Sequence, residues 1–282
     1  MIAAETLTVG GLLRDYPGRV FITWTLLIGE VALLALIPLF IGHTIDALLA
    51  KPQISVLLEI SLLFIGLVIV AVVRRAYDTR AYGTMRVDLC KALIERSKHK
   101  DVSKLNAQVE MGRELADFLE EQMPLVITCV IQLVISVAIL FSFGIEMGLA
   151  SLTAVLFMLC FYGVFHKRFF KLNARLNAIA EEQVGVLASG NVTRISGFLI
   201  QRRLSEVKLS DTDSIMYGIV YLVMFTLILV NLWSASLLTG VTAGAIFAII
   251  SYSWELVGAS VELPATLQQW TRLSEIQGRI NR

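Results

Sequence analysis

Charge is scarce in this sequence. Only 17% of its 282 residues are Asp, Glu, Lys or Arg, where a soluble domain carries about a quarter. What charge there is nearly cancels, to a net +1, which argues against a nucleic-acid partner. There are three cysteines, Cys90, Cys129 and Cys160, in one loop and two apolar runs, and they form no disulfide framework. His43, His99 and His166 lie far apart and make no metal set. The first apolar run is longer than a signal-peptide core and no small-residue cleavage site follows it, so it does not read as a removable leader.

What is abundant is apolar. Hydrophobic residues make up 56% of the chain and gather in six runs of about 20 residues, each enough to cross a bilayer. The runs fall at 20–42, 54–73, 124–143, 147–165, 214–238 and 241–261. Lipid offers the backbone no hydrogen bonds, so each run is expected to be helical. The fold class is all-α, a polytopic membrane protein. The segments between runs alternate long and short. The N-terminal segment, the two long loops (74–122 and 167–213) and the C-terminal segment hold 2, 10, 8 and 3 basic residues. The opposite side holds Lys51 alone. That asymmetry predicts both termini and both long loops in the cytoplasm of a bacterial inner (plasma) membrane protein. The expected outer links are HTIDALLAKPQ, GIE and LTG.

Each long loop has about 48 residues, too many for a plain connection. Val87, Cys90 and Ile94 are spaced as one helical face in the first loop, with Leu115, Phe118, Leu119 and Met123 on the return. In the second, Leu172, Leu176, Ile179 and Val186 form an outgoing stripe, and Ile195, Leu199 and Leu204 a returning one. ASGN at 188–191 reads as a hairpin turn, and HKDVSK at 99–104 as a break. Each membrane helix is therefore expected to continue about 23 residues, or roughly 35 Å, beyond the lipid. After the sixth run, Leu267, Trp270, Leu273 and Ile276 give a last amphipathic helix.

At these segments the chain resembles the six-helix, type-1 transmembrane domain of ATP-binding cassette exporters. IPLFIGHTIDALL (37–49) is similar to that family's end of helix one. RVDLCKALIER (86–96) resembles the helix before the first coupling turn. AEEQVGVLASGNVTRISGF (180–198) resembles the segment before the second coupling helix, and ELPATLQQWTRLSEIQGRI (262–280) the end of helix six. The resemblance implies a single membrane domain over 1–282, a homodimer or a heterodimer with a similar six-helix chain, and a nucleotide-binding ATPase docked under the hairpins. It places Asp101, Ile195 and Phe198 at the coupling turns, with Phe198 as the candidate aromatic that docks; the competing reading is that Phe198 packs within its own hairpin. A phosphate loop of the form G-x-x-x-x-G-K-[ST] does not occur in the 282 residues. ATP is thus expected only through a separate partner, with no cofactor in this chain. The first return leg and the second loop read as about two turns shorter per leg than the family's, which would hold an ATPase nearer the membrane.

Two carboxylates fall at expected membrane depth. Glu30 lies about ten residues from either end of the first run, and Glu255 about 18 Å from the outer end of the sixth. A charge there needs a partner or a wet cavity. Glu30 and Glu255 are the candidate substrate or ion pathway, binding a cation or carrying protons; the competing reading is a protonated, hydrogen-bonded structural group. Asn231 and Gln132 are candidates for hydrogen bonds between helices. The sequence NVT at 191–193 matches a glycosylation acceptor but lies on the basic side. No nucleophile–base pairing is legible, and no enzyme site is expected. Three functions fit. One is the pathway-forming subunit of an ABC-type exporter. Another is an ATPase-free transporter or channel coupled to ions through Glu30 and Glu255. The third is a membrane scaffold for another protein.

Overall fold

The computed structural model describes residues 9–96, 113 and 116–280, with side chains to Thr266. No strand occurs among the described residues. A short α1 (Val9–Asp15) leads into α2 (Pro17–Ala50), and α3 (Ile54–Arg96) follows. The chain is next described through a π-helical turn, Phe118–Gln122, that runs into α4 (Met123–Phe143). Then come α5 (Ile145–Ala188), α6 (Val192–Leu237) and α7 (Ala243–Ile280). Six of these helices are long and apolar enough to span a membrane.

Helix ends follow local chemistry. Pro17 opens α2 in the first turn, where a missing N–H is harmless. Gly190, at φ 62°, makes the turn after α5, and the Asn191 side chain caps α6 by accepting from Thr193 N and Arg194 N at 3.0 and 3.2 Å. The asparagine of NVT is thus a helix cap. Gly240, at φ 75°, turns the chain into α7.

Helix α7 is the hub, packed against α2, α4 and α6, while α5 lies between α4 and α6. Leu133, Leu140, Met147, Met224, Ile249 and Leu256 are central to that core. Helix α3 packs chiefly on α2, with smaller contacts to the π-helical turn, so it forms one flank. Its other faces carry exposed Leu58, Leu62, Ile65 and Ile69, a surface suited to lipid. The described extensions of α3, α5 and α6 lie toward the end rich in Lys and Arg. Helices α5 and α6 run 44 and 46 residues, far beyond a membrane's thickness.

Three expectations change. The first short link is mostly helix: α2 continues to Ala50, leaving Lys51, Pro52 and Gln53 to connect it to α3. The buried stripe of α3 in the first hairpin is Tyr82, Met85, Leu89 and Leu93, whereas Val87 and Ile94 are exposed and Cys90 is half-buried. Both sets have helical spacing; the bulkier one fills the gap against Phe118, Leu119 and Met123. In the second hairpin Ile179, Val186, Ile195 and Phe198 pack together as expected of that stripe, but Leu199 and Leu204 point outward. The HKDVSK break and Leu115 lie outside the described residues, as do the side chains of Leu267, Trp270, Leu273 and Ile276.

Candidate functional site

Antiparallel pairing of α2 and α3 sets the depth of Glu30. It lies about 30 Å from Ala50, the full hydrocarbon thickness. It sits level with Arg74, the first charge after the apolar run of α3. Extension of α2 to Ala50 is the reason. Glu30 also has a partner: Arg74 donates to it from Nε and, at 3.4 Å, from Nη2. Arg74 Nη1 donates to Asp78 Oδ2 at 3.0 Å. One guanidinium thus holds two carboxylates across the α2–α3 interface. The planar fork of arginine suits that task better than a lysine ammonium.

Glu255 lies about 18 Å along α7 from Ala243. It turns toward α4, where Ser136 donates to its Oε2 at 3.4 Å and the Gln132 side chain lies nearby. Ser136 is fully buried. No basic side chain pairs with Glu255 among the described residues. Glu30 and Glu255 are not brought together: one faces α3, the other α4.

Polar contacts also tie α7 to its other neighbours. Asn231 of α6, fully buried, donates to Ser253 Oγ at 2.9 Å on α7 and to Ser151 Oγ at 3.4 Å on α5. Tyr252 donates its hydroxyl to the carbonyl of Ala35, beside Pro38, which removes an α2 backbone donor. At the short-loop end, Asp46 of α2 accepts from Thr242 Oγ1 at 2.6 Å and from the Gly244 N–H at 2.8 Å, capping α7 across the bundle. At the other end, Tyr162 of α5 donates to the Pro264 carbonyl at 2.9 Å.

In the first hairpin Arg86 of α3 bridges to Asp117 and, at 2.8 Å, to Glu120 on the π-helical turn. Tyr16 donates to Asp88 Oδ2 at 2.6 Å. Partial burial first, and then that anionic partner, push the Tyr16 phenol up to about 12. In the second hairpin Phe198 is 7% exposed among Ile179, Val186 and Ile195, so its ring fills the hairpin's own core. Apolar groups left outward on this hairpin include Leu187, Val192, Leu199, Ile200 and Leu204. Asp101 lies outside the described residues.

Sequence reasoning missed Arg74, Asp78 and Asp46. Arg74 had a signal, because the first charge after an apolar run is level with whatever its antiparallel neighbour presents at that depth. It also missed an exposed aromatic strip, Tyr221 and Phe225 on α6 with Trp254 on α7, in which the Phe225 and Trp254 rings stack at 6.1 Å.

No curated protein matches the chain. A family model described as ABC transporter transmembrane region matches residues 11–244, the stretch from α1 through the first turn of α7. Every contact described above except those of the α7 hub beyond residue 244 lies inside that match. A membrane domain of this kind carries the pathway and is not itself catalytic. Six long apolar helices and that match together place the chain in the ABC transporter transmembrane region family.

Proposed function

We propose that this chain forms the substrate pathway of an ABC-type exporter and is driven by a nucleotide-binding ATPase supplied outside these 282 residues. The observation that carries this reading is the family match over residues 11–244 on a six-span scaffold whose α3, α5 and α6 extend toward the basic end. In this reading the basic end faces the cytoplasm of the plasma membrane, as the Lys and Arg distribution favours. The ATPase meets the hairpin tips. Since Phe198 is occupied within its hairpin, exposed Leu187, Val192, Leu199 and Ile200 are apolar groups available for that contact. Two such chains, identical or similar, enclose the pathway.

Purification in mild detergent, followed by reconstitution in liposomes, tests the reading. An ATPase should co-purify in stoichiometric amount, and ATP should drive release of preloaded amphipathic dyes. Mass measurement in nanodiscs should show two six-helix chains. Monomers alone, or dye movement indifferent to ATP, would sink it.

Glu255 supports a second reading. A carboxyl at mid-depth, held by Ser136 with Gln132 nearby and without a basic partner, is suited to carrying a proton or a cation. An ATPase-free transporter on this scaffold would use it, and a pH gradient would then replace ATP in the same liposome assay.

A further inference from the structure

Between α2, α3 and the π-helical turn lies a buried polar cluster that neither reading uses. Glu30 and Asp78 share the one guanidinium of Arg74. The second oxygen of Asp78 is near the Thr23 hydroxyl of α2, and the Tyr82 hydroxyl, one turn further along α3, adjoins Thr23 and Trp24. Asp78 is 6% exposed, and Thr23 and Tyr82 are 1% each. Asp78 Oδ1, Thr23 Oγ1, Tyr82 Oη and Trp24 Nε1 are all buried without an aligned hydrogen bond. Surplus negative charge and under-satisfied oxygens therefore coincide. Either is costly away from water.

The charges around this point do not cancel. Arg74 faces Asp78 from its own helix and Glu30 faces it from α2. The π-helical turn presents Glu120, which is itself held by Arg86. Two carboxylates with one guanidinium leave a net charge of about −1 before any proton is added. Three side-chain oxygens are too few for a hard metal cation, which takes about six. A proton needs only one. On Asp78 it removes the surplus charge; Arg74 and the Thr23 hydroxyl favour the ionised form, and burial and the Glu30 carboxylate oppose it.

We propose that Asp78 is a proton-binding site that ties α3 to α2, its Oδ1 holding the proton toward Thr23 while its Oδ2 keeps Arg74. Loss of the proton sets a second buried carboxylate against Glu30 and loosens the α2–α3 contact at the basic end. The site stands whether or not an ATPase drives the protein.

Infrared difference spectroscopy of the full chain in nanodiscs tests this. At neutral pH a carboxylic-acid C=O band should be present in wild type and in Glu255→Gln, and lost in Asp78→Asn. Thr23→Val should shift its frequency. The wild-type melting temperature should fall from mildly acidic to mildly alkaline pH, while that of Asp78→Asn stays level. If Asp78→Asn does not fold, labelling wild type with carboxyl-13C aspartate must move the band. A band that the variant or the label leaves unmoved overturns the proposal. So does a sodium-dependent rise in melting temperature at constant ionic strength that Asp78→Asn abolishes, because the missing charge would then be a metal ion.

Discussion

Gly42 on α2 and Gly244 on α7 meet backbone to backbone, so closely that a methyl group on either would overlap the other's carbonyl. Such approach is what lets membrane helices gain packing contacts where no hydrophobic force separates lipid from protein. The Asp46 cap sits on the same crossing, 2.6 Å from where a Gly244 methyl would stand. Gly244→Ala should therefore destabilise the bundle by roughly 1–3 kcal/mol, the usual cost of overpacking. Gly258→Ala, where a methyl meets open space, should be neutral. Melting temperatures of the two variants in one detergent check the contrast.

Arg74→Ala takes the counter-charge from Glu30 and a hydrogen-bond donor from Asp78 in a partly buried interface. We expect a loss of about 3 kcal/mol or less, since the pair retains some solvent. Arg74→Lys should recover part of it, keeping the charge without the fork. Chemical denaturation of the three proteins in micelles gives the order; equal stability of Arg74→Ala and wild type would contradict it.

Asn231→Leu removes the node that joins α5, α6 and α7. The expected cost is about 1 kcal/mol, within what hydrogen bonds between membrane helices contribute. Combining it with Ser253→Ala should add little, because both changes delete the same contact. A double-mutant cycle reads the coupling.

The Tyr16–Asp88 contact predicts an alkaline dependence. A phenol raised from 10.0 to about 12 in the folded protein keeps its proton where the unfolded chain loses it. Its contribution is therefore complete below pH 10.0 and disappears as the pH rises through about 12. The stability difference between wild type and Tyr16→Phe should be constant to the first value and shrink to the second. A difference that widens would reverse the sign.

Under the transport readings, Glu255→Gln should preserve expression and assembly while lowering transport on the order of tenfold or more, the worth of one charge-assisted hydrogen bond. Glu30→Gln should instead weaken the α2–α3 contact, because its carboxylate is engaged by Arg74. Liposome transport assays alongside melting curves separate the two effects.

The spans were legible because hydropathy is additive along a chain: each apolar run lies within one long helix. The distance of Glu255 along its helix was also legible, since it depends on that helix alone. The pairing of Glu30 with Arg74 was not, because it depends on where α2 ends, and HTIDALLA has no breaker before Pro52. The α3 face was ambiguous for another reason. Val87, Cys90 and Ile94 satisfy helical spacing as well as Tyr82, Met85, Leu89 and Leu93 do, and only the partner helices choose between them. The Asp46 cap, the Asn231 node and the Arg74 bridge are contacts between residues distant in sequence. The sequence marks Asn231 as a candidate and Arg74 as the first charge after its run, but spacing along one chain does not name their partners or that of Asp46.

The π-helical turn at Phe118–Gln122 separates the first hairpin from its membrane helix without breaking the rod. One extra residue in a turn rotates everything beyond it by about 100°. The leg that carries Asp117 to Arg86 is thus set at a different rotational phase from the span that carries Ser136 to Glu255. Substitutions can retune the grip of the hairpin on α3 without turning the residues that line α7. A twist applied at the basic end can likewise be absorbed at this joint before it reaches the lipid.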